Sequence, residues 1–352
     1  MVVKYLTRIK KRLSSIIEVK KEVSSIKIDD IARLAVYSKS TVSKVINNYP
    51  GIPESTKEKI MKVIKKYEFE PNIQARNLAG KRDKVIGIFI LDKGGLGSYF
   101  FQYIIALIVE KSEERDVKVL ISLIKTSEEK IRIKQLIDNG TIQGAIIIGA
   151  TLDEPEIENL IENEYNLVMF DYKTEHHSKN VFLINSNNYN GGKLAAKFLL
   201  EKGLKTIYHF AGQENKLAGL EREEGFLDEL DGNGIVSKVL KGEFQLEIAK
   251  KIFTQLIKSG DIPEGIFCAN DEMAIGCLEA LTENDIAYEK VKLIGFDNNQ
   301  ISRLYRPRIT TIGYNLDKMD DKAVEAILKL IAGEKIKTNV YNGELKLYER
   351  ET

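Results

Sequence analysis

From residue 84 onward the chain alternates short apolar, β-branched runs with amphipathic stretches of helical spacing, and few folds accept that alternation. The runs VIGIFIL (85–91), VKVLISLI (117–124), GAIIIG (144–149), NLVMFD (166–171) and VFLIN (181–185) are nearly continuous in apolar character. Strands of that kind belong in a parallel sheet covered on both faces. Helical patterns at 99–114, 128–139 and 154–162 lie between them and supply the cover. The grammar then repeats: helix 191–202, TIYHFAG (206–212), helix 220–230, KVLKGEF (238–244), helix 246–259, GIFCAN (265–270), helix 272–283 and KLIGFDN (292–298). Two doubly wound α/β lobes with a cleft between them are predicted. TTIGYN (310–315), a helix over 318–331 and LKLYER (345–350) close the chain.

In open α/β sheets ligands bind beyond the carboxyl ends of the strands. The loops there supply Asp92, the aromatic triplet Tyr99, Phe100 and Phe101, then Asp171, Tyr172, Arg222, Phe244, Asn270, Asp271 and Asp297. An arginine opposite a carboxylate can bracket vicinal hydroxyls, one donating and the other accepting, while aromatic faces cover the apolar side of a sugar ring. Asp271 follows a strand and opens a helix, so an N-cap is at least as good a reading for it as a ligand contact. Of the triplet, one ring is expected in the cleft and the others in the core.

The amino-terminal part is different in kind. Residues 1–84 hold 20 Lys and Arg against 9 Asp and Glu, or +11, leaving 33 against 43, or −10, for the remainder. Such a split suits one module that meets phosphate and another that does not. Ile28, Ile31, Leu34 and Ala35 recur at helical spacing, and Val42, Val45 and Ile46 do so again, so two short helices share a core. Ser38 stands where an N-cap belongs for a helix over 39–47. Lys39, Ser40 and Lys44 then face away from the core, where a short helix can enter a major groove, and Lys44 is the first candidate for a guanine edge. A third helix, 54–67, turns Ile60, Val63, Ile64 and Tyr67 inward and its lysines outward. Residues 71–81 are mildly helical and too short to be stable alone, which fits a segment that folds on its target. Residues 1–25 read as a basic extension, either a disordered tail or an additional contact.

Thr41-Val42-Ser43-Lys44-Val45-Ile46-Asn47, then Pro71-Asn72, Ala75-Arg76, Leu78 and Gly80, resemble the lactose-repressor (LacI/GalR) family of bacterial transcription regulators, in order from residue 26 to the end. The resemblance implies a helix-turn-helix head over 26–71 contacting DNA through Lys39, Ser40, Thr41, Ser43, Lys44 and Asn47. It implies a hinge helix over 72–83 with Asn72, Ala75 and Arg76 at DNA and Leu78 wedged into a minor-groove step. A periplasmic-binding-protein-like body would follow, with an amino-terminal lobe at 84–184 and 316–337 and a carboxy-terminal lobe at 185–315 and 338–352. Arg222 in R-E-E-G-F and Asp297 in G-F-D match family effector contacts; with Tyr99, Phe100, Phe101, Asp171, Phe244 and Asn270 they form the expected site. The implied protein is a dimeric, effector-controlled repressor on a palindromic operator, its effector a sugar or sugar derivative, with a purine corepressor as the alternative. Three departures stand out. Val36 and Tyr37 fill a turn usually small, and a left-handed Val36 would cost about 1–2 kcal/mol. Asn187 replaces the aspartate of a D-N-x-x-G segment, and no tetramerising heptad tail is expected after the closing strand.

Competing classes fare worse. Gly95 and Gly97 follow the first strand, but Phe100 occupies the place of the third glycine of a dinucleotide loop. His176, His177 and His209 pair with no nucleophile and show no metal spacing, so neither an enzyme, a cofactor nor a metal is expected. Cys268 and Cys277 fit neither a C-x-x-C nor a zinc pattern and read as buried thiols. No run of about eighteen apolar residues and no secretory signal pattern is present, which points to a cytoplasmic protein and against a solute-binding receptor of the same fold.

Overall fold

A computed structural model describes residues 28–46, 49, 51–67, 84–91, 98–176 and 178–352. The chain divides into two compact units, residues 1–83 and 84–352. The described part of the first unit holds α1 (Ile28–Ala35), α2 (Lys39–Ile46) and α3 (Glu54–Lys66). Ile31, Ala32, Val42, Val45 and Ile60 are its buried core, with Tyr37, Val63 and Ile64 packed against them. The Ser38 hydroxyl accepts from the Thr41 amide at 3.1 Å, capping α2. Val36 is left-handed, φ 61°, and 87% exposed, so its isopropyl group gains no packing in return for the strain.

The second unit contains two six-stranded sheets. Its elements run β1 (Val85–Leu91), α4 (Tyr99–Glu113), β2 (Lys118–Ile124), α5 (Ser127–Asp138), β3 (Gly144–Ile148), α6 (Pro155–Glu162), β4 (Leu167–Phe170), β5 (Val181–Asn185) and α7 (Asn188–Glu201). There follow β6 (Thr206–Ala211), α8 (Leu217–Leu230), β7 (Val236–Lys241), α9 (Leu246–Ser259), β8 (Gly265–Cys268), α10 (Asp271–Glu283) and β9 (Lys292–Phe296). Last come α11 (Gln300–Leu304), β10 (Thr310–Tyr314), α12 (Leu316–Ile331), β11 (Val340–Asn342) and β12 (Leu345–Tyr348). The first sheet is ordered β11-β5-β4-β3-β1-β2 and is parallel throughout. The second is ordered β12-β10-β9-β8-β6-β7, with only β12 antiparallel. In both sheets the order reverses beside the first strand, between β1 and β3 and between β6 and β8, which opens a crevice at the carboxyl ends.

The chain passes between the lobes three times. The first two crossings, at 186–187 and at Asn315, fall beside the expected boundaries at 185 and 316. The third does not: β11 pairs with β5 in the first sheet, so the lobes exchange between Asn342 and Leu345 rather than at 338. Two crossings are tied together, the Gly343 amide donating to the Asn185 carbonyl at 2.8 Å. The strand expected over 238–244 ends at Lys241, because Glu243 and Phe244 are both left-handed. Helix α7 starts at Asn188, not at Gly191, after a left-handed Asn187.

Packing between α7 and α8 depends on two glycines. A Cβ on Gly192 would stand 2.1 Å from the Arg222 carbonyl oxygen, and one on Gly225 would stand 1.9 Å from that of Tyr189. Only hydrogen at both positions lets the two helix backbones approach so closely. Phe226, fully buried next to Gly225, anchors α8 in the core, and this fixes where Arg222 emerges.

Candidate functional site

Between the lobes lies a cavity of about 650 Å³ at the carboxyl ends of the strands, within the usual size of a small-molecule site. Tyr99, Phe100, Phe101, Asp171, Arg222, Phe244, Asn270 and Asp297 all line it. Arg222 is set there by the interior of α8 and the others by strand or helix ends. Asp171 follows β4 in a left-handed turn, φ 46°. Its carboxylate accepts from the Ser186 amide at 2.7 Å, the Ser186 hydroxyl at 2.8 Å and Asn188 Nδ2 at 3.0 Å. Burial nonetheless raises its pKa, with those donors pulling the other way.

Arg222 is the best-held group in the cavity. It is 3% exposed; Nε donates to Asn188 Oδ1 at 2.8 Å, Nη1 donates to the Ala269 carbonyl, and Nη2 lies 3.2 Å from Asp297 Oδ1. Its guanidinium plane covers Phe296 at 3.7 Å from the ring centroid and faces Phe244 at 5.9 Å. Asp297, 6% exposed, also accepts from the Tyr314 hydroxyl at 3.3 Å. The ion pair would be expected to depress its pKa, yet the direction is upward: desolvation of the carboxylate outweighs the Arg222 charge. Backbone strain is concentrated in the same place, since Asp297 has φ 98°, Asn298 φ 50°, Glu243 φ 56° and Phe244 φ 59°. Such strain persists only where neighbours over-determine the geometry, and here it preorganises the walls. Gly212 leaves room for the Phe244 ring, which a Cβ there would meet at 2.1 Å.

Asn270 and Asp271 divide their roles. Asn270 caps α10, its Oδ1 accepting from the Met273 amide at 2.9 Å, and its Nδ2 donates to the Phe244 carbonyl at 3.1 Å. Asp271 is buried away from the cavity, accepting from the Asn299 amide at 2.9 Å and from the Thr311 hydroxyl, so it is structural. All three aromatic residues at 99–101 line the cavity, and Phe100 and Phe101 also pack on the core, so one segment serves both purposes.

Several lining residues escape a reading of the sequence: Gln213, Lys216, Glu243, Gln245, Glu247 and Glu272. Four follow strands β6 and β7, and the rule of strand ends could have found them. Two seams bridge the lobes beside the cavity. At one, the Leu152 amide donates to the Asn215 carbonyl at 2.8 Å. At the other, Glu272 accepts from the Tyr99 amide at 3.2 Å and the Ser98 hydroxyl at 3.5 Å. Across the cleft Lys216 Nζ lies 5.6 Å from the Phe101 ring centroid.

In the first unit, Lys39, Ser40 and Lys44 are exposed on α2, opposite the buried Val42 and Val45. Lys39 pairs with Asp29 at 3.0 Å, both side chains more than half exposed, a contact that water and salt weaken. Ser40 and Thr41 hydroxyls each lie 2.8 Å from that of Ser38. Ser43 is partly exposed on the same helix. Asn47 and the hinge residues Asn72, Ala75, Arg76 and Leu78 lie outside the described residues. Among the described residues no group of three or more His, Cys, Asp or Glu is placed to hold a metal ion, and no helix is long and apolar enough to cross a membrane.

Comparison with known proteins matches residues 27–72 to the model of bacterial regulatory proteins, lacI family, and residues 196–352 to a periplasmic binding protein-like domain. The HTH-type transcriptional repressor PurR of Pasteurella multocida is 27% identical over 311 residues, 86% of this chain and 91% of that protein. The PurR of Vibrio atlanticus is 28% identical over 333 residues, 92% and 98% of the two chains. Among solved structures, the lac repressor dimer bound to operator and the anti-inducer ONPF superposes with a TM-score of 0.81 at 22% identity, covering 93% of this chain and 98% of that one. The CelR–cellobiose complex gives 0.70 at 21% identity, covering 93% and 99%. A regulator from Alkaliphilus metalliredigens complexed with D-xylulofuranose gives 0.64 at 28%, covering 76% and 98%. With the DNA-binding model matched at the head and the binding-protein model matched at the carboxy-terminal part of the body, the chain joins a lacI-family regulatory head to a periplasmic-binding-protein-like body, in the order found in the LacI/GalR regulators it resembles.

Proposed function

We propose that the protein is an effector-controlled transcriptional repressor that binds a palindromic operator as a homodimer, with a sugar or sugar derivative held between the lobes of its body. The observation that carries this reading is the division of chemistry between the two units. The first presents an exposed Lys-Ser helix, and the second encloses a cavity of carboxylates, an arginine and four phenylalanines. Aromatic walls beside paired donors and acceptors suit a polyhydroxylated ring. Two of the solved neighbours support the same reading, one complexed with cellobiose and the other with D-xylulofuranose.

In the DNA complex α2 would lie in the major groove, with Lys44 donating to a guanine edge and Lys39, Ser40, Thr41, Ser43 and Asn47 at neighbouring bases and phosphates. Asn72, Ala75, Arg76 and Leu78 would meet the minor groove between half-sites. Selection of bound sequences from a random pool, followed by anisotropy titration of the winner, tests the proposal. Lys44→Ala is expected to cost about 1–3 kcal/mol on that operator and to relax preference at one base pair per half-site. A uniform loss on every sequence makes Lys44 a phosphate contact instead.

A further inference from the structure

Glu272 lies in the first turn of helix α10 and lines the cavity, only 8% exposed. One of its oxygens reaches the amino-terminal lobe, at the first amide of α4, where the unpaired N–H groups of a helix favour an anion. The other, Oε2, is covered and meets no donor among the described residues. A covered carboxylate oxygen without a donor is costly. Closing the lobes around Glu272 is therefore penalised until something supplies an N–H or O–H.

The surroundings restrict what that donor can belong to. Five carboxyl side chains line the cavity against two cations, Lys216 and Arg222. The Arg222 guanidinium is already engaged by Asn188, the Ala269 carbonyl and Asp297. The α10 terminus is capped by Asn270 and carries Asp271 and Glu272 in its first turn, and the α9 terminus carries Glu247. A phosphate or carboxylate ligand would enter against this field; a hydroxyl would not.

We propose that Glu272 is the residue by which the cavity selects an uncharged, polyhydroxylated effector and couples its capture to lobe closure: a ligand hydroxyl donates to Oε2 while Oε1 holds the Tyr99 amide of the opposing lobe. This rests on the reading of the cavity as the effector site. Burial, followed by the nearby Asp297 charge, pushes the Glu272 carboxyl up to about 7. A donor at Oε2 stabilises the ionised form, so binding releases a proton and strengthens as pH rises through that value. Asp297, Asp271 and its own backbone amide face the same carboxyl from its own lobe, and the Tyr99 amide and Ser98 hydroxyl face it from the other. The diagnostic quantity is therefore the difference between wild type and variant.

The full-length protein would be melted with D-glucose, D-xylose, cellobiose, D-glucose 6-phosphate and hypoxanthine at equal concentration. The best uncharged sugar would then be titrated by calorimetry at about pH 6 and about pH 8 into wild type and Glu272→Gln. An uncharged sugar should raise the melting temperature more than the phosphate ester, and wild-type affinity should be higher at the alkaline pH. Glu272→Gln should bind that sugar about tenfold or more weakly at the alkaline pH and lose most of the pH dependence. Wild type titrated near neutrality in buffers of differing ionisation heat should release protons on binding, a check that does not depend on the variant folding. The proposal is overturned if the phosphate ester or hypoxanthine stabilises more than every sugar, if no sugar stabilises, if no proton is released, or if Glu272→Gln binds as wild type does at both pH values. Operator affinity of the same wild-type preparation separates the two readings: its absence sinks the regulator proposal and leaves the Glu272 result standing.

Discussion

At Val36 a single backbone angle decides the balance of gain and loss. The residue is left-handed, β-branched and almost fully in solvent, so it carries strain with no contact to offset it. Val36→Gly is expected to stabilise the head by about 1 kcal/mol, the relief of strain exceeding the added backbone entropy of glycine. Hydrogen exchange of the α1 and α2 amides in the full-length protein checks this; slower exchange is expected, and faster exchange would mean that the turn tolerates valine. The turn was legible because the resemblance marks it as a place for a small residue. Arg222 and Asp297 were legible for a similar reason, each sitting in a short motif with a glycine that packing requires nearby. Glu272 was not: a glutamate in the first turn of a helix is ordinary, and its burial is created by the other lobe, far away in sequence.

Helix α12 carries an acid that its packing does not explain. Asp320 is fully buried among apolar neighbours of the first lobe, and neither carboxyl oxygen finds a hydrogen-bond partner among the described residues. Desolvation, with the charge of Asp317 adding to it, raises its pKa to about 8. A carboxyl raised above its unfolded value contributes stability that is complete below about pH 4 and is lost as pH rises through the folded value. Over that span the loss is on the order of 5 kcal/mol. Denaturant midpoints should therefore fall from about pH 4 to about pH 8 and level off above it, and Asp320→Asn should flatten that slope. An unchanged slope in the variant would assign it to other groups. The strands and helices of this lobe were legible because each apolar run is long and bounded by turn residues. β11 was not, since Val340–Asn342 is only three residues long and is followed at once by Gly343. Only tertiary pairing with β5 decides it.

Across the whole molecule, effector and operator must bias one equilibrium if the proposed function holds. Closing the cleft changes the relation of the lobes, and coupling between two ligands is reciprocal. Arg222→Ala and Asp297→Ala are each expected to abolish the effector's influence on operator affinity, while leaving effector-free binding within about tenfold, or about 1.4 kcal/mol. Operator titrations with and without the effector decide the matter. A mutant with full response would displace the pocket from these residues, and loss of operator binding in both would make the ion pair structural. The three crossings between lobes have a further consequence, which concerns synthesis. The first sheet receives its covering helix α12 and its edge strand β11 only near the end of the chain, and the second sheet receives β12 after that. Contacts so distant in sequence form slowly. Until Asn342 has left the ribosome the first sheet lacks its edge strand, and until Tyr348 has followed the second lacks β12, so both sheets are completed within the last few residues to be made.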